Sequence, residues 1–93
     1  MRAVPPATRR VTILNKRGLH ARAAAKFVKL AAQFQSEITV TKDGTSVSGR
    51  SIMGLMMLAA SPGSELALSV EGPDAWAALD AITALVAAKF DED

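Results

Sequence analysis

Cysteine is absent from the 93-residue chain and histidine occurs once, as His20. Disulfides and thiolate metal sites are therefore excluded, and a histidine-rich metal centre is not available. Tyrosine is absent too, and the aromatic residues are Phe27, Phe34, Phe90 and Trp76. The core must be built mostly from Ala, Leu, Ile, Val and Met. No apolar run approaches the roughly 20 residues of a membrane span. The N-terminus also lacks the apolar segment of a secretory signal. The expectation is a cytoplasmic protein without membrane insertion. Acids are missing from the first third, where Arg2, Arg9, Arg10, Lys16, Arg17, Arg22, Lys26 and Lys29 all precede Glu37. Such a basic half can steer a phosphorylated or acidic partner, or it can be a solvated face. A nucleic-acid partner is not expected, because the strands carry no interleaved aromatics and the chain closes on Asp91-Glu92-Asp93.

What is present suffices for one domain with a modest core. Residues 1–8, with Pro5 and Pro6, read as a flexible arm, and 9–93 as a single domain. Residues 9–14 alternate as a strand, and 15–19 form a loop with Gly18 free to adopt an unusual backbone angle. Phe27, Leu30, Ala31 and Phe34 recur at helical spacing and predict a helix over about 21–35. Residues 37–41 alternate again. Asp43-Gly44 then signals a hairpin into a short strand at 45–48. A short helix over 51–59 follows, with Ser51 placed as its N-cap. Residues 65–71 alternate as a fourth strand. Gly72-Pro73-Asp74 opens a last helix to about Phe90, with Leu79, Ile82, Val86 and Phe90 as its buried stripe and Ala75 or Trp76 nearby. The order is βαββαβα. Four amphipathic strands with one face covered by three helices make a two-layer α+β sandwich, at least partly antiparallel.

His20 falls where a strand ends and a helix begins. Unpaired N–H groups and the positive end of the helix dipole make that point an anion site. A lone histidine most often has no chemical role, and a catalytic base wants an orienting carboxylate, of which none lies near in sequence. Yet the turn at Gly18, the helix start and Arg22 two residues on suit covalent phosphorylation of the ring. A helix start disfavours imidazolium, and a neutral ring nitrogen is a nucleophile. A phosphoramidate formed there is labile and suits a carrier.

The run Gly18-Leu19-His20-Ala21-Arg22, with Ser51-Ile52-Met53-Gly54-Leu55-Met56 further on, resembles HPr. HPr is the phosphocarrier of the bacterial phosphoenolpyruvate-dependent phosphotransferase system, and its nitrogen-branch relative NPr is similar. The resemblance covers about residues 9–90. It implies an open-faced sandwich with an antiparallel sheet in the order 1-4-2-3. It also implies that His20 accepts phosphate at Nδ1 from phospho-enzyme I and passes it to a IIA component, with Arg22 contacting the phosphoryl group. Ser51 matches the serine that an HPr kinase modifies in some bacteria. Ile52, Met53 and Met56 match the apolar docking patch. The implied protein is a carrier and not an enzyme, monomeric, with no cofactor or metal of its own, in sugar uptake or metabolic regulation. The alternative is a regulatory module of the same fold, whose His20 and Ser51 phosphorylation controls partners. One departure stands out: Ala23 replaces the proline that usually follows the arginine.

Read without the resemblance, Ser51 is most simply a helix cap. Some of Met53, Met56 and Met57 must be core. A helix this short cannot bury all its apolar residues against one sheet, however, and exposed methionines adapt to differently shaped partners.

Overall fold

Alternation builds the sheet. In the computed structural model, which describes residues 5–92, the strands are β1 (Ala7–Thr12), β2 (Glu37–Lys42), β3 (Thr45–Ser48) and β4 (Glu65–Glu71). The helices are α1 (Ala21–Ala31), α2 (Ile52–Met57) and α3 (Ala75–Ala87). The sheet order is β1-β4-β2-β3, with every neighbouring pair antiparallel. One face carries Val11, Ile38, Val40, Leu66, Leu68 and Val70 inward, under the helices. The other carries polar side chains such as Thr8, Arg10, Thr39 and Ser69. Phe27 of α1 and Leu79, Ile82 and Val86 of α3 close the core. Burying each of these larger side chains stabilises the fold by about 1.5–3 kcal/mol.

The hairpin forms where Asp43-Gly44 predicts it, with φ of 50° and 82° at the two turn residues. Both angles lie in the left-handed region that matches strand twist. Several boundaries differ from the periodicity. The first strand starts at Ala7, because Ala7 pairs with Val70 and Thr8 with Ser69. It thus overlaps the end of the expected arm, whose residues 1–4 lie outside the described residues. Helix α1 stops at Ala31 rather than near Gln35. Gln33 and Phe34 tighten to bonds on the third residue back, while the Gln35 amide donates to Asp74 and Arg50 takes the Phe34 and Ser36 carbonyls. Tertiary partners thus capture the backbone groups that another helical turn would use. Helix α3 stops at Ala87, and a single 3₁₀ turn, Lys89–Asp91, follows it. Of the residues expected near the stripe of α3, Phe90 is fully buried, whereas Trp76 is exposed.

Candidate functional site

The site is built from the end of β1 outward. Asn15 is fully buried, and its amide donates to the Gly18 carbonyl at 2.7 Å, pinning the loop. Gly18 has φ +66°, and an added Cβ would run into the Ala60 carbonyl oxygen. That same carbonyl accepts the Leu19 N–H at 2.8 Å. The loop is therefore clamped onto the segment after α2, and its exit sets the first residue of α1.

His20 is the N-cap of α1, with extended backbone. Its carbonyl accepts from the Ala24 amide at 2.8 Å. Its ring turns back so that Nδ1 accepts the Arg22 backbone N–H at 3.3 Å. An acceptor carries a lone pair, so Nδ1 is unprotonated and faces the open end of the helix. The other nitrogen, Nε2, meets both carboxylate oxygens of Glu92, at 3.0 and 2.8 Å. Asn15 reaches the same carboxylate, donating to Oε1 at 2.8 Å. The imidazole is thus held at both nitrogens, with its side chain 18% exposed.

Glu92 is the residue that reasoning from the sequence missed. It looks like part of a solvated acidic terminus, and only the fold brings it to His20. Burial opposes its ionisation. Hydrogen bonds from Asn15 and His20, with the Lys26 charge, outweigh that and hold its carboxyl below the ordinary glutamate range. The basic first third is divided by the fold. Arg9 pairs with Asp80 and Arg10 with Glu65, both from β1. Lys26 donates to the Phe90 carbonyl at 2.6 Å. Arg17 and Arg22 stay exposed beside His20, and their guanidinium groups make no hydrogen bond among the described residues.

A shallow cleft of about 270 Å³ opens at His20, lined by Arg17, Leu19, Ala59, Ala60 and Ser61. It joins His20 to the C-terminal end of α2. Ser51 lies at the opposite end of that helix, where its hydroxyl caps the Gly54 N–H at 2.9 Å. Between them, Ile52, Met53 and Met56 are exposed, at 40, 73 and 43%. Met57, which the resemblance did not single out, is the most exposed at 77%; none of the three methionines is core, contrary to the expectation that some would be, because Leu55 and Leu58 fill the inward face of so short a helix. Four large apolar side chains on one short helix form an apolar patch of the kind that marks interaction surfaces. His20 and Arg22 are thus brought together with the near end of this patch, and Ser51 stands at its far end. Among the described residues no three His, Asp or Glu side chains converge to hold a metal ion. No helix among them is long and apolar enough to cross a membrane.

This geometry supports nucleophilic chemistry at one ring nitrogen beside an anion-binding helix start. Comparison with known proteins is consistent with it. Residues 7–88 match the family model described as "PTS HPr component phosphorylation site". The chain is 50% identical over 84 residues to phosphocarrier protein HPr of Cupriavidus necator, covering 90% of this chain and 94% of that one. It is 54% identical over 84 residues to phosphocarrier protein NPr of Shewanella violacea, covering 90% and 92%. The crystal structure of HPr-C-His from Thermoanaerobacter tengcongensis superposes with a TM-score of 0.90 at 45% identity, covering 94% of this chain and 98% of that chain.

Proposed function

The chain belongs to the HPr family of phosphotransferase-system phosphocarriers, and from that premise we propose that it carries a phosphoryl group on His20, taken from phospho-enzyme I and delivered to a IIA component. The observation that carries this reading is the state of the ring: Nδ1 presents a lone pair at the head of α1. Attack by that lone pair forms the N–P bond as the donor's bond to phosphorus breaks, its electron pair leaving with the donor. The phosphoryl oxygens then meet the first N–H groups of α1 and the exposed Arg22 guanidinium, both suited to negative charge. Ala23 adds an N–H there that proline would lack. If Ala23→Pro leaves phosphohistidine lifetime and transfer rate unchanged, that added contact is not made.

Docking uses the patch of Ile52, Met53 and Met56, with Met57 added. Donor and acceptor occupy this one face in turn, which favours a monomer. Ser51 sits at the edge of the same face. A phosphate placed there by an HPr kinase would put negative charge into the docking surface. A purely regulatory module of the same fold would use the same residues without onward transfer.

The test is a purified mixture of this protein with enzyme I, labelled phosphoenolpyruvate and magnesium. Acid-labile label that is lost in His20→Ala and moves on to an added IIA protein is the expected result. Label that stays on the protein while partner binding changes would favour the regulatory module. No label with an active enzyme I overturns carriage.

A further inference from the structure

Chain geometry after α3 is costly, and it leads to His20. Lys89, Phe90 and Asp91 have φ of 56°, 54° and 60°. None is glycine, and each left-handed residue of this kind costs about 1–2 kcal/mol. The turn is held by the fully buried Phe90 ring and by Lys26, which donates to the Phe90 carbonyl. Its product is the placement of the next residue, Glu92, with both carboxylate oxygens on Nε2 and one of them shared with buried Asn15. Backbone strain concentrated in a turn that delivers one side chain points to a role for that side chain.

We propose that Glu92 is a positioning residue for phosphoryl transfer: it accepts the Nε2 proton of His20 as a hydrogen bond and thereby commits Nδ1 to act as the nucleophile. This rests on the carrier reading above. A neutral imidazole has one N–H, and whichever nitrogen holds it cannot attack phosphorus. A carboxylate can only accept, so it fixes the proton on Nε2. The Arg22 N–H on the other side is compatible only with the same tautomer. During transfer the Nδ1 lone pair forms the bond to phosphorus and Nε2 keeps its proton. The ring then becomes a phosphoimidazolium, whose positive charge lies against Glu92. Charged groups near this pair include Lys26 of α1 and Arg17 of the loop. Neither can accept the Nε2 proton.

The experiment uses the full chain with ¹⁵N-labelled histidine at neutral pH. Long-range proton–nitrogen spectra report which ring nitrogen is protonated, and labelling from phospho-enzyme I reports the rate. Wild type is expected to show a protonated Nε2 and a bare Nδ1. In Glu92→Ala the two tautomers should mix, and the acceptance rate at saturating donor should fall about tenfold, the lower end of the scale on which hydrogen-bond partners orient metal-bound imidazoles. Glu92→Gln, whose amide oxygen can still accept, should restore the tautomer and part of the rate. A side chain that merely anchors the tail would show neither the tautomer change nor this rescue. Unchanged spectra and rate in Glu92→Ala would overturn the proposal, and so would faster acceptance, which would make Glu92 a shield over the ring. If wild type takes no label from an active donor, the carrier reading falls, while the spectra still decide what Glu92 does to the ring.

Discussion

Two helices, α1 and α2, begin on a polar side chain that caps them, and they begin differently. At α1 the cap is His20, whose Nδ1 accepts an N–H at 3.3 Å. At α2 it is Ser51, whose hydroxyl accepts one at 2.9 Å. As a cap Ser51 is the better of the two, and it looks like a residue chosen for capping. His20 is a weaker cap with a second polar atom to spare, and that atom is gripped by Glu92. The surroundings diverge as well. Arg17 and Arg22 stay exposed near His20, whereas Arg50, beside Ser51, donates to the Phe34 and Ser36 carbonyls. A helix start is therefore common ground. What separates the two is the grip on the far side of the His20 ring and the exposed arginines beside it.

The largest way to break this comparison is at the two caps themselves. His20→Ala should abolish phosphoryl acceptance in the labelling assay, whereas Ser51→Ala should leave acceptance within about twofold and cost roughly 1 kcal/mol in urea unfolding, the usual worth of an N-cap. If Ser51→Ala abolished acceptance, the division drawn here would be wrong. Next comes the loop that only His20 has. Gly18→Ala meets both a left-handed backbone and the Ala60 carbonyl. It should lower stability by more than about 2 kcal/mol and slow acceptance, because the loop can no longer seat His20. The change in acceptance should persist under conditions where calorimetry shows the variant folded.

Titration gives the mildest, reversible break. The carboxyl of Glu92 lies below its ordinary range for the reasons given above. That of Asp74 lies low because the Ser36 hydroxyl and the Gln35 amide donate to it, burial opposing and Arg50 adding its charge. A carboxyl with a lowered folded value contributes stability above its unfolded range and loses it as pH falls through the folded value. Stability should therefore be flat through neutrality and decline in acid. The chemical shifts of the His20 ring should follow the titration of Glu92, and those of Ser51 and Gly54 should not. Movement of both sets together would mean that the two helix starts are coupled.

Much of the fold was legible because its cues are local. Strand alternation, the Asp43-Gly44 turn and the Ser51 cap each depend on a few neighbouring residues. Strand order did not follow from periodicity and entered through the HPr resemblance. The ends of α1 and α3 were misjudged because partners distant in sequence decide them: Asp74 and Arg50 for the one, the core pocket of Phe90 and the Lys26 contact for the other. His20 and Arg22 stood out by their spacing at a strand-to-helix junction. Glu92 did not, since nothing in Lys89-Phe90-Asp91, which lacks glycine, announces a left-handed turn. The absence of a nearby acid in sequence argued against an oriented imidazole, and the fold supplied one from the opposite end of the chain.

The position of β4 has a kinetic consequence. It lies between β1 and β2 and pairs with both, so β1 has no partner strand until it arrives, whereas β2 already has β3 through the local hairpin. The β1–β4 contacts span most of the chain, and such long-range pairing slows folding. The 11 residues of α1 are too few to hold a helix alone in water. The His20 loop also depends on Ala60, just ahead of β4. Reactivity at His20 should therefore emerge in a single late step together with the sheet, and a partly folded chain would carry an ordinary, unaddressed histidine.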